Sequence, residues 1–355
     1  MLEFKNIFPS KIIKEGYRLP ELPENIRSIY ISGAEYKGGA TEMFAYLGVP
    51  KQKCGSCPAI ILIHGGDGRA YHEWVAEWVE RGFVALAIDN NSRHQTAEGV
   101  VHNDLGGPSA WCPWAEELSD KENTWSYISV KTLLMAGEML AGMEEVDPER
   151  IYSYGISWGG YLSYLMLSAS KRIKMGAVAY TTAYMHEMPL WIESGFDRAK
   201  CGDGRLALWI DEYDAKNYIP KIKMPVILAR GMEDKCFPPK SINKTLDLFG
   251  DGIVTMANIK KYIHGHINGR KMVDVNGRIC DDAYGDAERC GERKFTVAYT
   301  TAHGYDPEKD WLEYEISKDE REREIKPDGA VSWYYNEYSE RGYTKSSRIF
   351  GEDEY

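Results

Sequence analysis

The chain has 355 residues, 43% of them hydrophobic, with 54 acidic against 43 basic residues and a formal net charge of −11. That content fills one large core and leaves room for a small extra module. The acidic balance, without any Lys/Arg-rich block, gives no phosphate-tracking stripe and excludes nucleic acid as an expected partner.

No segment offers about 18 consecutive apolar residues, so no membrane-spanning helix is expected. The opening MLEFKNIFPSKIIKEGYRLPELPENIR carries no apolar run of signal-peptide length, and a cytoplasmic protein is the expectation. The stretches IRSIYIS and TEMFAYLG, either side of a turn at Gly38 and Gly39, predict an antiparallel pair at one edge of a sheet. Ala59 to Ile63 (AIILI) and Phe83 to Ile88 (FVALAI) are short, fully apolar runs flanking a helical stretch near Tyr71 to Arg81. They predict a βαβ unit whose strands are buried on both faces.

Residues 90–123, with Trp111 and Trp114, predict a long loop. A helix over Thr124 to Met143 precedes a strand at Arg150 to Tyr154, the turn GISWGG and an apolar helix from Tyr161 to Ser168. Further strands are predicted at Gly176 to Tyr180, Pro225 to Arg230 and Asn258 to Ile263, with a second irregular insertion over 182–220. After about residue 290 the text changes to KFTVAYTTAHGY, WLEYEIS and AVSWYYNEYS, strand-like pieces between charged turns. The division expected is a catalytic domain over 1–285 and a β-rich module over 286–355.

Seven cysteines, at 54, 57, 112, 201, 236, 280 and 290, suit reduced thiols better than a disulfide framework. Cys54-Gly-Ser-Cys57 is the single CxxC, and a zinc site would want a second close pair, so no metal is expected.

Gly155-Ile156-Ser157-Trp158-Gly159 is a G-x-S-x-G between a predicted strand and a predicted helix. A serine on so sharp a turn needs small residues two places either side, so that strand and helix can pass closely. It also sets the Trp158 N–H at a helix N-terminus, where it can meet a developing oxyanion. His64-Gly65-Gly66 follows the AIILI strand, and the N–H of Gly66 is the second oxyanion candidate, with His64 read as a residue bracing the loop.

A serine hydroxyl needs a base, and the base an orienting carboxylate. Beyond the strand PVILAR, Asp234 is the expected acid, with Glu233 its competitor. Beyond NIKKYI, His266 is the expected base, with His264 the alternative. Trp111, Trp114, Trp158 and Trp191 would either line a sugar-binding cleft or pack the insertions against the core.

The runs AIILIHGGDG, EWVAEWVERGFVALAID, VDPERIYSYGISWGGYLSYLM, PVILARGMED and IHGHING resemble the acetylxylan esterase and dienelactone hydrolase branch of the α/β-hydrolases over residues 55–270. The tail WYYNEYSERGYTKSS is similar to the end of a small immunoglobulin-like β domain carried by some bacterial esterases of this group. The resemblance implies a mostly parallel, doubly wound α/β-hydrolase sheet, hydrolysis of esters such as acetyl groups on carbohydrate, and no cofactor. Serine at 157 departs from the cysteine nucleophile of dienelactone hydrolases proper. The expected partner is a small-molecule or oligosaccharide ester, with no membrane contact and with room for a homo-oligomer. A peptidase or thioesterase on the same residues, or an inactive scaffold used for binding, are the rival readings.

Overall fold

The computed structural model describes residues 1–51, 56–108, 117–194, 203–231, 234, 236–259, 293–303, 311–339 and 344–351. Its strands in chain order are β1 (Ile12–Glu15), β2 (Ile26–Ser32), β3 (Glu42–Gly48), β4 (Cys57–Ile63), β5 (Val84–Ile88), β6 (Arg93–Thr96), β7 (Gly99–His102) and β8 (Val146–Ile156). They continue as β9 (Ile173–Ala179), β10 (Val226–Gly231), β11 (Val254–Ile259), β12 (Arg293–Thr300), β13 (Leu312–Ile316), β14 (Ser332–Ser339), β15 (Thr344–Ser346) and β16 (Phe350–Gly351). The longer helices are α1 (His72–Glu80), α2 (Trp125–Ala141), α3 (Trp158–Ala169), α4 (Pro189–Ser194), α5 (Asp203–Glu212) and α6 (Pro239–Leu246).

All strands but the β6–β7 hairpin join one sheet in the order β1-β2-β3-β5-β4-β8-β9-β10-β11-β15-β14-β12-β13, with β16 beside β14. The run from β5 to β11 is parallel. Both of its faces are covered, and the residues alternate accordingly. In β4, Ala59, Ile61 and Ile63 face the cluster that holds α2 and α3, whereas Ile60 and Leu62 face the cluster that holds α1. The same alternation separates Val84, Leu86 and Ile88 from Ala85 and Ala87 in β5. A strand buried on both sides can be apolar at every position, which is why these runs were readable as parallel strands.

The expected antiparallel pair is β2 and β3, in register from Ile26↔Gly48 to Ser32↔Glu42. The predicted helix over 124–143 is α2, started by the Thr124 hydroxyl, which accepts from the Tyr127 N–H at 3.3 Å. The loop predicted over 90–123 contains the β6–β7 hairpin, and the 182–220 insertion contains α4, α5 and single 3₁₀ turns.

The predicted C-terminal strands are present and are added edge-on to the same sheet. β15 pairs antiparallel with β11 at Met256↔Ser346, and β14, β12 and β13 follow in turn. The side chains reinforce this seam. Fully buried Arg230, at the end of β10, donates to Asn243 Oδ1 on α6 at 2.9 Å and toward the Ser347 carbonyl at 3.5 Å. Asn243 Nδ2 donates in turn to the Ile349 carbonyl at 2.9 Å.

Candidate active site

The loops that leave the carboxyl ends of β4, β5, β8, β9 and β10 gather along one edge of the parallel sheet, where open α/β sheets form their crevices. Ser157 stands at the end of β8 as the residue before α3, with φ 56° and ψ −121°, a conformation that side-chain-bearing residues seldom adopt. Its N–H is held by the Ala179 carbonyl of β9 at 2.8 Å. Its neighbours explain the glycines. A Cβ on Gly155 would fall 2.4 Å from the Gly159 carbonyl oxygen, and one on Gly159 would fall 2.3 and 2.4 Å from the carbonyl oxygens of Ile63 and His64. Strand β8, helix α3 and the end of β4 can pass this closely only where side chains are missing.

Gly65 lies against the serine: a Cβ built there would be 3.2 Å from Ser157 Cβ and 3.7 Å from its hydroxyl oxygen. The Gly65 carbonyl is tied twice, accepting from the Gly68 N–H at 3.1 Å and from His64 Nδ1 at 2.7 Å. Because a trans peptide sets its N–H opposite its carbonyl, fixing the Gly65 oxygen also fixes the direction of the Gly66 N–H. His64 is buried, and its Nε2 accepts from the Asn90 N–H at 2.8 Å, so the ring proton sits on Nδ1. Burial lowers its pKa and keeps the ring neutral. His64 thus braces the loop, as expected from the sequence.

The remaining bracing comes from residues the sequence reading passed over. Buried Asp89, just past β5, accepts from the N–H groups of Asn91 and Arg93 at 2.9 and 2.8 Å and from Ala70 at 3.3 Å. Burial pushes its carboxyl up, against the pull of His64 and of these N–H donors. Asn91 Nδ2 donates to the carbonyls of Gly66 and Gly68, and Arg93 Nη1 donates to the Asp67 carbonyl at 2.9 Å. The loop after β5 therefore clamps the loop after β4. The only prior signal was a run of polar residues, DNNSR, directly behind an apolar strand.

The Trp158 N–H is the first of α3, among the four that a helix leaves without an acceptor of its own. Its indole is another matter. Trp158 is 1% exposed and packs edge-on against Trp125, Trp191 and Tyr161 at 5.9, 5.3 and 5.5 Å between ring centres. Trp191 is buried too, so these two rings pack the insertion onto the core and form no sugar-binding wall. Trp111 and Trp114 lie outside the described residues, as does Cys54 of the CxxC.

Asp234 is buried in the loop after β10. Its Oδ1 accepts from the N–H groups of Cys236 and Phe237 at 2.8 and 3.0 Å. Burial pushes its carboxyl up to about 6, while those two N–H bonds pull the other way. The ring of Tyr180, at the end of β9, closes the space beside it: a Cβ on Gly231 would be 2.8 Å from Tyr180 Cε1 and 3.3 Å from Asp234 Cβ. Glu233, His264 and His266 lie outside the described residues. The strand that leads to the histidines, β11, ends with Ile259 paired to Gly231, at the same end of the sheet as Asp234.

Two family models match the chain: acetyl xylan esterase (AXE1) over residues 25–189, and the prolyl oligopeptidase family over 113–276. Among solved structures, an acetyl xylan esterase from Paenibacillus sp. R4 aligns with TM-score 0.57 and 19% identity, over 73% of this chain and 84% of that one. One from Thermoanaerobacterium sp. JW/SL YS485 gives 0.55 and 20%, with the same coverage. A Pyrococcus horikoshii acylaminoacyl peptidase gives 0.51 and 21%, over 70% of this chain and 39% of that one. The curated acylamino-acid-releasing enzymes of rat and human are 25% and 22% identical over 201 and 250 residues, covering 52% and 65% of this chain. The chain covers only 25% and 31% of their length. The chain thus has the α/β-hydrolase fold and is similar to acetyl xylan esterases over one part and to the prolyl oligopeptidase family over another.

Proposed function

We propose that this chain is a serine hydrolase that cleaves carboxylic esters through an acyl-enzyme, removing acetyl groups from an oligosaccharide or a related small ester. Ser157 is the nucleophile in this reading, Asp234 the acid and His266, or else His264, the base. The observation that carries it is the strained backbone of Ser157, with Gly65, whose carbonyl is held in place, close beside its side chain. The substrate carbonyl oxygen would take the N–H groups of Gly66 and Trp158, charge-stabilising donors set in place before the reaction begins. Ser157 Oγ bonds to the carbonyl carbon as its proton passes to the histidine, which then protonates the leaving alcohol. A water molecule, activated by the same histidine, later releases the acid. Asp234 orients the imidazole throughout.

The ester and its acetyl group follow the similarity to acetyl xylan esterases, and a cytoplasmic setting belongs to the same reading. Ser157→Ala is expected to lower ester turnover by several orders of magnitude and to abolish labelling by a fluorophosphonate. Turnover near that of the parent chain would reject the assignment. The prolyl oligopeptidase match supports a second reading, a peptidase acting on acylated amino acids. An N-acetylaminoacyl amide compared with an acetylated sugar, by kcat/KM, separates the two.

A further inference from the structure

Directly over the braced loop lies a cleft of about 290 Å³ lined by Asp67, Arg69, Asn91, Arg93, His102 and the Val100–Val101 pair. We propose that this cleft is a subsite for a single carboxylate carried by the substrate, held by Arg93 and Arg69 while the ester lies at Ser157. The ester part of the claim rests on the reading above; the carboxylate part stands on the cleft itself.

Position comes first. Asn91 lines the cleft and bonds the Gly66 carbonyl, and Asp67 lies two residues beyond Gly65, which touches Ser157. At no more than about 3.5 Å per residue, the cleft wall begins within roughly 10 Å of the hydroxyl. An acid a few methylenes away from the reacting carbonyl spans that gap.

Charge and geometry come next. Arg93 and His102 are direct cross-strand partners in the β6–β7 hairpin, which places both on one face. The Arg93 Nη1 is fixed on the Asp67 carbonyl at 2.9 Å, so the guanidinium plane is set before any ligand arrives. Among the described residues no carboxylate lies within ion-pair distance of it. Arg69 is stacked over the Tyr71 ring at 5.0 Å and meets Glu73 only at 3.9 Å, both side chains being open to solvent. His102 meets Asp104 at 3.6 Å. A planar fork held at one end suits two-point recognition of a carboxylate. Val100 and Val101, both partly exposed, give an apolar shelf for the linker.

The test uses glutarate and a matched pair of chromogenic esters, mono-4-nitrophenyl glutarate and the neutral 4-nitrophenyl valerate. Calorimetry on the whole chain should detect glutarate binding that weakens at least tenfold in Arg93→Gln, severalfold in Arg69→Gln, and on adding salt. The kcat/KM ratio of the charged over the neutral ester should fall by the same factors. Arg69 bonds no backbone atom among the described residues, so its variant guards against a loop disturbed by losing Arg93. Glutarate failing to bind the parent chain, or binding both variants equally well, overturns the subsite. Glutarate binding lost in Arg93→Gln, with neither ester turned over by the parent chain, supports the subsite and counts against the ester-hydrolase reading instead.

Discussion

The loop after β4 and the loop after β10 leave the same end of the parallel sheet as Ser157, yet they are held in opposite ways. The first is stapled from outside: Asp89, Asn91 and Arg93 reach its N–H groups and carbonyls, and the Asn90 N–H reaches its His64, across sequence gaps of up to 26 residues. In the second, among the described residues, the bonds are local, with Asp234 accepting from the N–H groups of Cys236 and Phe237 two and three residues on. The difference matches what the proposed reaction asks of each loop. Oxyanion donors gain their value from being fixed before charge develops, which demands rigidity from several directions. A carboxylate that steadies a histidine needs one oriented side chain, and a short turn supplies it.

The largest effect should come from the second loop. Asp234→Asn keeps the shape of the side chain but removes its charge, and kcat for an ester should fall by about 10⁴-fold, the size of loss seen when a triad acid becomes an amide. Stability should move the other way. Burial pushes the folded carboxyl up to about 6 from its ordinary value of 3.8, so the fold binds the extra proton between these values and its stability declines as pH rises through that window. The penalty is absent below about pH 4 and complete above pH 6, amounting to at most about 3 kcal/mol. Asparagine carries no such penalty. Melting curves should therefore show the variant more stable than the parent chain at pH 8, with the advantage gone at pH 4; an advantage that persists at pH 4 would exclude the charge as its cause.

The stapled loop should respond less in rate and more in fold. Asp89→Asn puts an amide where three N–H donors converge, and one of them, Ala70 N–H, faces the oxygen that the substitution turns into a donor if the other keeps Asn91 and Arg93. A loss of about 1–3 kcal/mol is expected. Loosening the Gly66 N–H should lower kcat/KM by about 10–100-fold, short of removing an oxyanion donor outright. Unchanged kinetics in a folded variant would show that His64 and Asn91 suffice to hold the peptide.

How far the sequence foretold these loops depends on which force shapes them. Strands β4, β5, β8, β9 and β10 were legible because two covered faces demand apolar residues at every position, and the elbow because a steric demand leaves glycines at fixed spacing. The β6–β7 hairpin escaped: Arg93–Thr96 is polar throughout and partly exposed, without the alternation that marks a strand. The clamp at Asp89 to Arg93 escaped because a polar run after a strand looks the same whether it is solvated or buried. The Arg230–Asn243 seam escaped for the same reason, since burying a guanidinium leaves no apolar pattern to read.

That seam yields the smallest expected effect on rate. Asn243 is fully buried, accepts from Arg230, and bonds Ile349 through both its amide atoms, donating at 2.9 Å and accepting at 3.3 Å. Asn243→Ala removes these bonds and leaves Arg230 in a dry setting with fewer acceptors, which should cost about 2 kcal/mol and lower the melting temperature by a few degrees. Ester turnover should change less than threefold, because the bonds that Asp234 Oδ1 accepts among the described residues come from its own turn. A tenfold drop in kcat at a temperature where the variant is fully folded would mean that the acid loop is held from outside after all, through β10 and the strands docked on α6. The two loops would then differ only in how far away their supports lie.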